Sequence, residues 1–226
     1  MRLYPDSKVY VVCPGLVHTG GAELLHQLCS QLITFGVDAC MYYFINGSFN
    51  LKQNPVDNFY KKYHLPYVTS IEDTEHNIFV AYEGPTEFLY IPKKAQRILW
   101  WLSADKYLLH LSKYLKALSA YTRLDSQPLP KMFFFGNQDK EADHLAQSEY
   151  ARQFLITNGI PTYKIYMVED YLNQAFLSRA AQVDLSKKEN FVAYNPKKGF
   201  EFTQLFIKLA PDIDWRPIQN MTPAQV

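Results

Sequence analysis

The first forty-five residues constrain the fold more tightly than any other part of the chain. Residues 8–13 (KVYVVC) make a short apolar run that stops at Pro14-Gly15. A polar loop carrying Gly15, Gly20 and Gly21 follows. Ala22, Leu25, Leu28, Cys29, Leu32 and Ile33 then recur at helical spacing, and Gly36 stands where a helix C-cap belongs. Residues 38–45 return to a strand pattern rich in aromatic side chains, closed by Asn46-Gly47. Strand, loop, helix and strand in so short a stretch call for a crossover connection, so the two strands are expected to be parallel. The expected class is α/β, with a Rossmann-like parallel sheet flanked by helices.

The rest of the chain continues in this style. Strands are expected over residues 77–82, 97–102 and 131–135, ending at Glu83-Gly84-Pro85, Ser103-Ala104-Asp105 and Gly136-Asn137. A helix is expected over 149–158 with Gly159 as its C-cap, then a strand over 162–168. Residues 50–73 are polar and rich in Tyr and Lys, and no element is assigned to them. Each expected strand stops in a small or polar loop, the end at which open α/β sheets place their ligands.

Residues 177–189 change character, reading as a helix followed by a charged linker. A strand over 190–194, a turn at Asn195-Pro196-Lys197-Lys198-Gly199, an amphipathic helix over 200–209 and a strand over 213–218 come next, and Thr222-Pro223 reads as a further helix start. The expected division is an N-terminal Rossmann-like domain over 1–180, then a linker and the incomplete start of a second such domain, its first βαβ, over 181–226.

Composition excludes several classes. A net charge of +1 leaves no basic footprint for nucleic acid, and none is expected as a partner. The three cysteines, Cys13, Cys29 and Cys40, are odd in number and lie in apolar runs, so neither a disulfide framework nor metal-ligand spacing emerges. A reducing cytoplasm is the expected setting. Residues 1–8 carry no apolar signal core, and no apolar run approaches the roughly 18 residues of a membrane span. Peripheral contact with the inner face of a membrane stays open.

Two turns carry the chemistry that local pattern can supply. In His18-Thr19-Gly20-Gly21-Ala22-Glu23, two glycines at a strand-to-helix turn let the backbone approach a bulky group, and the helix start behind them suits a phosphate. A plain glycine turn fits the same letters. The second turn is 195–199, where Lys197 and Lys198 present cations between a strand and a helix, as a solvated surface turn also would. Ser103 and Asp105, just past a strand, are further cleft candidates. No nucleophile elbow is present, so a Ser-His-Asp or Cys-His catalyst is not supported. A nicotinamide-binding reading is weaker still, because G-x-G-x-x-G spacing is absent and Asp38 is its one acidic candidate.

Taken together, Gly20-Gly21-Ala22-Glu23, Trp100-Trp101-Leu102-Ser103, the stretch 144–150 (HLAQSEY) and Tyr194-Asn195-Pro196-Lys197-Lys198-Gly199 resemble retaining GT-B glycosyltransferases of family four, in a bacterial branch that makes surface polysaccharide or lipopolysaccharide. The resemblance covers nearly the whole chain, through the order and spacing of short motifs. It implies a first domain that holds a glycan or lipid-linked acceptor and a nucleotide-activated sugar donor in the cleft against a second domain. Gly20, Gly21, Lys197 and Lys198 would meet the donor phosphates, His18 and Glu23 would support the glycine loop, and neither metal nor cofactor is expected. Helix-dipole and lysine charge would stabilise the departing nucleoside diphosphate.

Two departures qualify what is implied. The family places an Arg shortly before the Lys, where this chain has Tyr194, Asn195 and Pro196, leaving Lys197 as the substitute. The family's Glu-x7-Glu motif belongs deep in the second domain. Its spacing occurs here at Glu75 with Glu83 and at Glu141 with Glu149, both in the first domain, and is read as coincidental. The donor-gripping half is therefore expected to be missing and transfer by this chain impaired. The alternative is a non-catalytic subunit that keeps the acceptor-side domain and pairs with a partner or a second copy.

Overall fold

The structure is a computed structural model that describes residues 1–120, 131–136, 142–170, 172, 174–196, 199–219 and 221. It divides into two compact units, Met1–Asp170 and Tyr171–Val226.

The first unit is an α/β Rossmann-like fold with a seven-stranded, all-parallel sheet. In chain order its elements are β1 (Lys8–Pro14), α1 (Gly20–Thr34), β2 (Asp38–Phe44), β3 (Tyr67–Val68), β4 (Ile78–Tyr82), β5 (Gln96–Trp101), α2 (Ala104–Ala120), β6 (Ala142–Ala146), α3 (Glu149–Thr157) and β7 (Ile165–Met167). Short 3-10 turns cover Asn58–Tyr63, Thr86–Tyr90 and Thr162–Lys164. The strands are ordered β3-β2-β1-β4-β5-β6-β7. After β1 the chain winds toward one edge, and after β4 it winds toward the other. The gap between β1 and β4 is thus the switch point, where doubly wound sheets open a crevice at the carboxyl ends of their strands.

Alternation along the strands splits the core into two layers. Val9, Val11 and Cys13 of β1 join Met41, Tyr43, Ile78, Val80 and Trp100 under α1, which contributes Ala22, Leu25 and Cys29. The intervening residues, among them Tyr10, Val12, Phe79, Ala81, Leu99 and Trp101, face Tyr107 of α2, Ala151 and Leu155 of α3, and Phe133. Both faces are covered, which is the condition under which parallel sheets persist. The aromatic content concentrates in the second layer. Trp101 lies 5.1 Å from Tyr107 and 5.5 Å from Phe135, edge-on to the first and stacked on the second.

Beyond the strands β3 and β6, neither of which was anticipated, three elements differ from expectation. Residues 131–134 join no ladder, although Met132 and Phe133 are buried. The place beside β5 is taken by β6, in register from Arg97↔Ala142 to Trp101↔Ala146, so residues 131–135 pack as irregular chain against the core. The 17-residue helix α2 was not anticipated. The strand expected over 162–168 starts as a 3-10 turn and is shortened to β7.

The second unit holds α4 (Gln174–Ala180), β8 (Phe191–Tyr194), α5 (Phe200–Leu209) and β9 (Asp214–Pro217). β8 and β9 pair in parallel from Phe191↔Asp214 to Tyr194↔Pro217, joined through α5 as one βαβ. β8 is exposed along Phe191–Ala193, and α5 has no buried residue.

Candidate functional site

The site is built at the switch point of the first unit, from the loop after β1. Gly15 donates its N–H to the Phe44 carbonyl (2.8 Å), and Leu16 donates to the Pro55 carbonyl (2.9 Å). A Cβ on Gly15 would stand 3.0 Å from Ile45 Cγ1 and 3.1 Å from both Cβ and the carbonyl oxygen of Pro55, so glycine is what lets the chain turn here. Residues 16–20 then run exposed over the top of the sheet.

Thr19 starts α1. Its hydroxyl accepts the Ala22 N–H at 3.2 Å and its carbonyl accepts the Glu23 N–H at 3.0 Å, the arrangement of a helix N-cap. Tyr60 fixes that residue from below: its hydroxyl accepts the Thr19 N–H (3.0 Å) and donates to the Thr19 carbonyl (2.8 Å). His26, buried two turns further along α1, stacks on Tyr60 at 4.0 Å. Its Nδ1 lies 2.6 Å from the Ala22 carbonyl, a contact that only a protonated Nδ1 satisfies, so Nε2 accepts from the Tyr43 hydroxyl at 2.7 Å. The ring is neutral in that arrangement, and burial pushes its pKa below the ordinary histidine value.

The candidate side chains fall into three groups. His18 stacks on Phe59 at 4.1 Å, and Glu23 accepts from Lys62 Nζ (3.1 Å) and the Tyr63 hydroxyl (2.8 Å), so both tie the loop and α1 to the Asn58–Tyr63 turn. Gly20 and Gly21 are the first residues of α1. With Thr19 holding the next two amides, theirs are the helix-start N–H groups that make no hydrogen bond among the described residues. A Cβ on Gly20 would meet nothing within 4 Å, and one on Gly21 would reach only Leu102 Cδ1, at 3.5 Å. Neither glycine has the positive φ that would demand it. Ser103 and Asp105 stand across at the start of α2, where Ser103 caps the helix by accepting the Lys106 N–H on its hydroxyl (3.3 Å) and Asp105 accepts from the Tyr150 hydroxyl (3.0 Å). Lys197 and Lys198 lie outside the described residues.

One residue was set aside by sequence reasoning and stands at the centre of this edge. Glu83 follows β4 directly and is 1% exposed. Its Oε2 accepts the Leu102 N–H at 2.9 Å, tying the end of β4 to the turn between β5 and α2. Burial raises its carboxyl to about 7, against the lowering pull of main-chain hydrogen bonds and of Lys106 nearby. The signal in the sequence was its place, a carboxylate immediately after a buried apolar strand; nothing local said that it would be enclosed. The spacing it shares with Glu75 carries no meaning here, since Glu75 lies before β4, at the opposite edge of the sheet.

No protein-family model matches this chain, and no curated protein matches it at a significant level. The chemistry must therefore be read from the site itself. Two unfilled N–H groups at the positive end of a 15-residue helix, behind an open glycine, suit an anion such as a phosphate. The cysteines offer no nucleophile: burial lifts Cys29 to about 12 and Cys40 to about 11, and Cys13 well above its usual range. Among the described residues, no cluster of three His, Cys, Asp or Glu side chains is placed to hold a metal ion, and no helix is long and apolar enough to cross a membrane. Two surface grooves lie elsewhere, one along α2 and one at the amino edge of the sheet between Ser30, Val37 and His64.

Proposed function

We propose that this chain carries the acceptor-side domain of a sugar-transfer enzyme that uses a nucleotide-activated donor, with Gly20 and Gly21 meeting the donor diphosphate. The observation that carries the reading is the open start of α1. Its glycines are required by neither backbone conformation nor packing, their amides make no hydrogen bond among the described residues, and they sit at the switch point of a parallel sheet. A diphosphate would gain charge-assisted hydrogen bonds there together with the helix-end field, of order 0.3–1 kcal/mol for the latter in an exposed setting. The order of the short motifs, through Lys197 and Lys198 in the second unit, supports sugar transfer over other phosphate chemistry. The acceptor would be a glycan or a lipid-linked sugar, in the synthesis of surface polysaccharide.

The test is an NMR titration of the whole chain with UDP, GDP and their sugar conjugates. The Gly20 and Gly21 amide resonances should move first, and Gly20→Val should suppress the shift without changing thermal stability, because its side chain enters open space. Amides that stay still up to about 10 mM nucleotide, an affinity no better than about −3 kcal/mol, would remove the donor from this site.

A second reading is favoured by a separate observation. Phe191 and Val192 of β8 are 38% exposed and Phe202 of α5 is 66% exposed, on a parallel pair of strands that ordinarily needs cover on both faces. On this reading the chain is a subunit that associates through its second unit. Light scattering decides it, since a monomer at high concentration excludes self-association through that surface.

A further inference from the structure

Among the described residues Glu83 is the one carboxylate that the fold encloses. It stands where three pieces of chain meet at the carboxyl edge of the sheet: the end of β4, the Thr86–Tyr90 turn that follows it, and the turn from β5 into α2. The third piece is far away in sequence and is held by the hydrogen bond from the Leu102 N–H to the Glu83 carboxyl. A buried charge is ordinarily paired. No ion pair among the described residues includes Glu83.

The titratable groups around it do not supply the missing charge. Tyr82 before it and Cys13 at the end of β1 are kept neutral by burial. Glu87, in the turn after it, carries the same sign. On α2, Lys106 is exposed and acts from beyond ion-pair distance, and Asp105 accepts the Tyr150 hydroxyl. His110, further along α2, is held below the ordinary histidine value by burial first and by Lys113 next. With its proton, Glu83 fits the enclosed place and still accepts the Leu102 N–H. Without it, a charge is left among main-chain donors, and exposure to water relieves that cost. Burial sets the changeover at about 7, against 4.5 in the open. Between those values opening the contact releases a proton, so each pH unit favours the open form by about tenfold.

We propose that Glu83 is a proton-operated latch: protonated, it holds the β5–α2 turn to the end of β4, and ionised, it lets that turn loosen. The turn is also the wall beside the glycine loop, since Leu102 Cδ1 stands 3.5 Å from where a Cβ on Gly21 would lie. Release of the latch therefore loosens the flank of the α1 start. The inference does not depend on donor binding. It rests on the enclosure of one carboxyl and on its hold on Leu102.

Amide hydrogen exchange of the whole chain, followed by NMR from about pH 5 to about pH 8 and corrected for intrinsic exchange, tests it. Protection at Leu102 should fall by about tenfold per pH unit up to about pH 7 and level off above it. At every pH it should be lower than protection at Val11, in the centre of β1, and indifferent to low urea, because the opening is local. Glu83→Gln keeps an acceptor for the Leu102 N–H without a charge, so protection there should no longer depend on pH. His110→Asn should leave the slope as it is. Protection at Leu102 that is absent at the acid end, or that does not change with pH in the unaltered chain, overturns the proposal. So does protection that matches Val11 and falls with urea in step with it, since the carboxyl would then be released only by global unfolding. Both of these readings need no variant. A slope that persists in Glu83→Gln assigns the proton to another group and also overturns it.

Discussion

The two units contain the same supersecondary piece in two conditions. In β1-α1-β2 the strands run in register from Lys8↔Asp38 to Pro14↔Phe44, and five consecutive residues of each are buried. In β8-α5-β9 the pairing is equally regular, yet β8 is buried nowhere along its four residues. The two helices differ at their starts as well. α1 opens on the Thr19 side-chain cap, whereas α5 opens on Gly199 with no side-chain cap. The comparison teaches that hydrogen-bond pattern and helical period are local properties, while burial belongs to the neighbours. β1 has β2 and β4 beside it and helices over both faces; among the described residues of its unit, β8 has one strand beside it, β9.

Equal truncations in the two units should break this symmetry most visibly. Leu99→Ala removes a fully buried side chain from the first unit and should cost about 2–5 kcal/mol by urea denaturation. Leu205→Ala, at a position 51% exposed in α5, should cost under about 1 kcal/mol. Comparable losses would mean that the second unit is covered in solution by something that hides Leu205.

The next effect is a pH dependence confined to the first unit. The Glu83 carboxyl is raised from the ordinary 4.5 to about 7, so the folded state holds a proton that the unfolded state has already released. Stability should therefore fall as pH rises from about 4.5 to about 7 and level off above it, by roughly 3 kcal/mol in all. His26, with a lowered pKa, contributes the opposite slope just below its unfolded value. Glu83→Gln should remove the falling component. A stability profile that is the same in this variant and the unaltered chain would show that the carboxylate is charged and well solvated at neutral pH.

The smallest expected effect moves the contrast inside the first unit, to its crowded and open glycines. Gly15→Ala sets a methyl against Ile45 and the Pro55 carbonyl and should cost about 1–3 kcal/mol. Gly20→Ala, facing open space at a helix start, should be neutral within about 0.5 kcal/mol or slightly stabilising. Calorimetry of both variants checks the order. A destabilising Gly20→Ala would give that glycine a structural role and weaken the case for a ligand in front of it.

What residues alone determined follows from short-range physics. β1, α1, β2, α3 and α5 were legible because period and turns agree within each of them, with Gly36 closing α1 and Gly159 closing α3. The glycine loop was legible as a candidate site for the same reason. Tertiary structure decided the rest. α2 keeps four leucines and three lysines outside, so no clean apolar stripe marks it. β6 carries Asp143 and His144 within the strand and displaced residues 131–135, which have better strand letters, because the open edge of β5 accepts one partner. Glu83 looks like any turn carboxylate until the β5–α2 turn closes over it. Enclosure is contributed by residues far away in sequence, and no local pattern carries it.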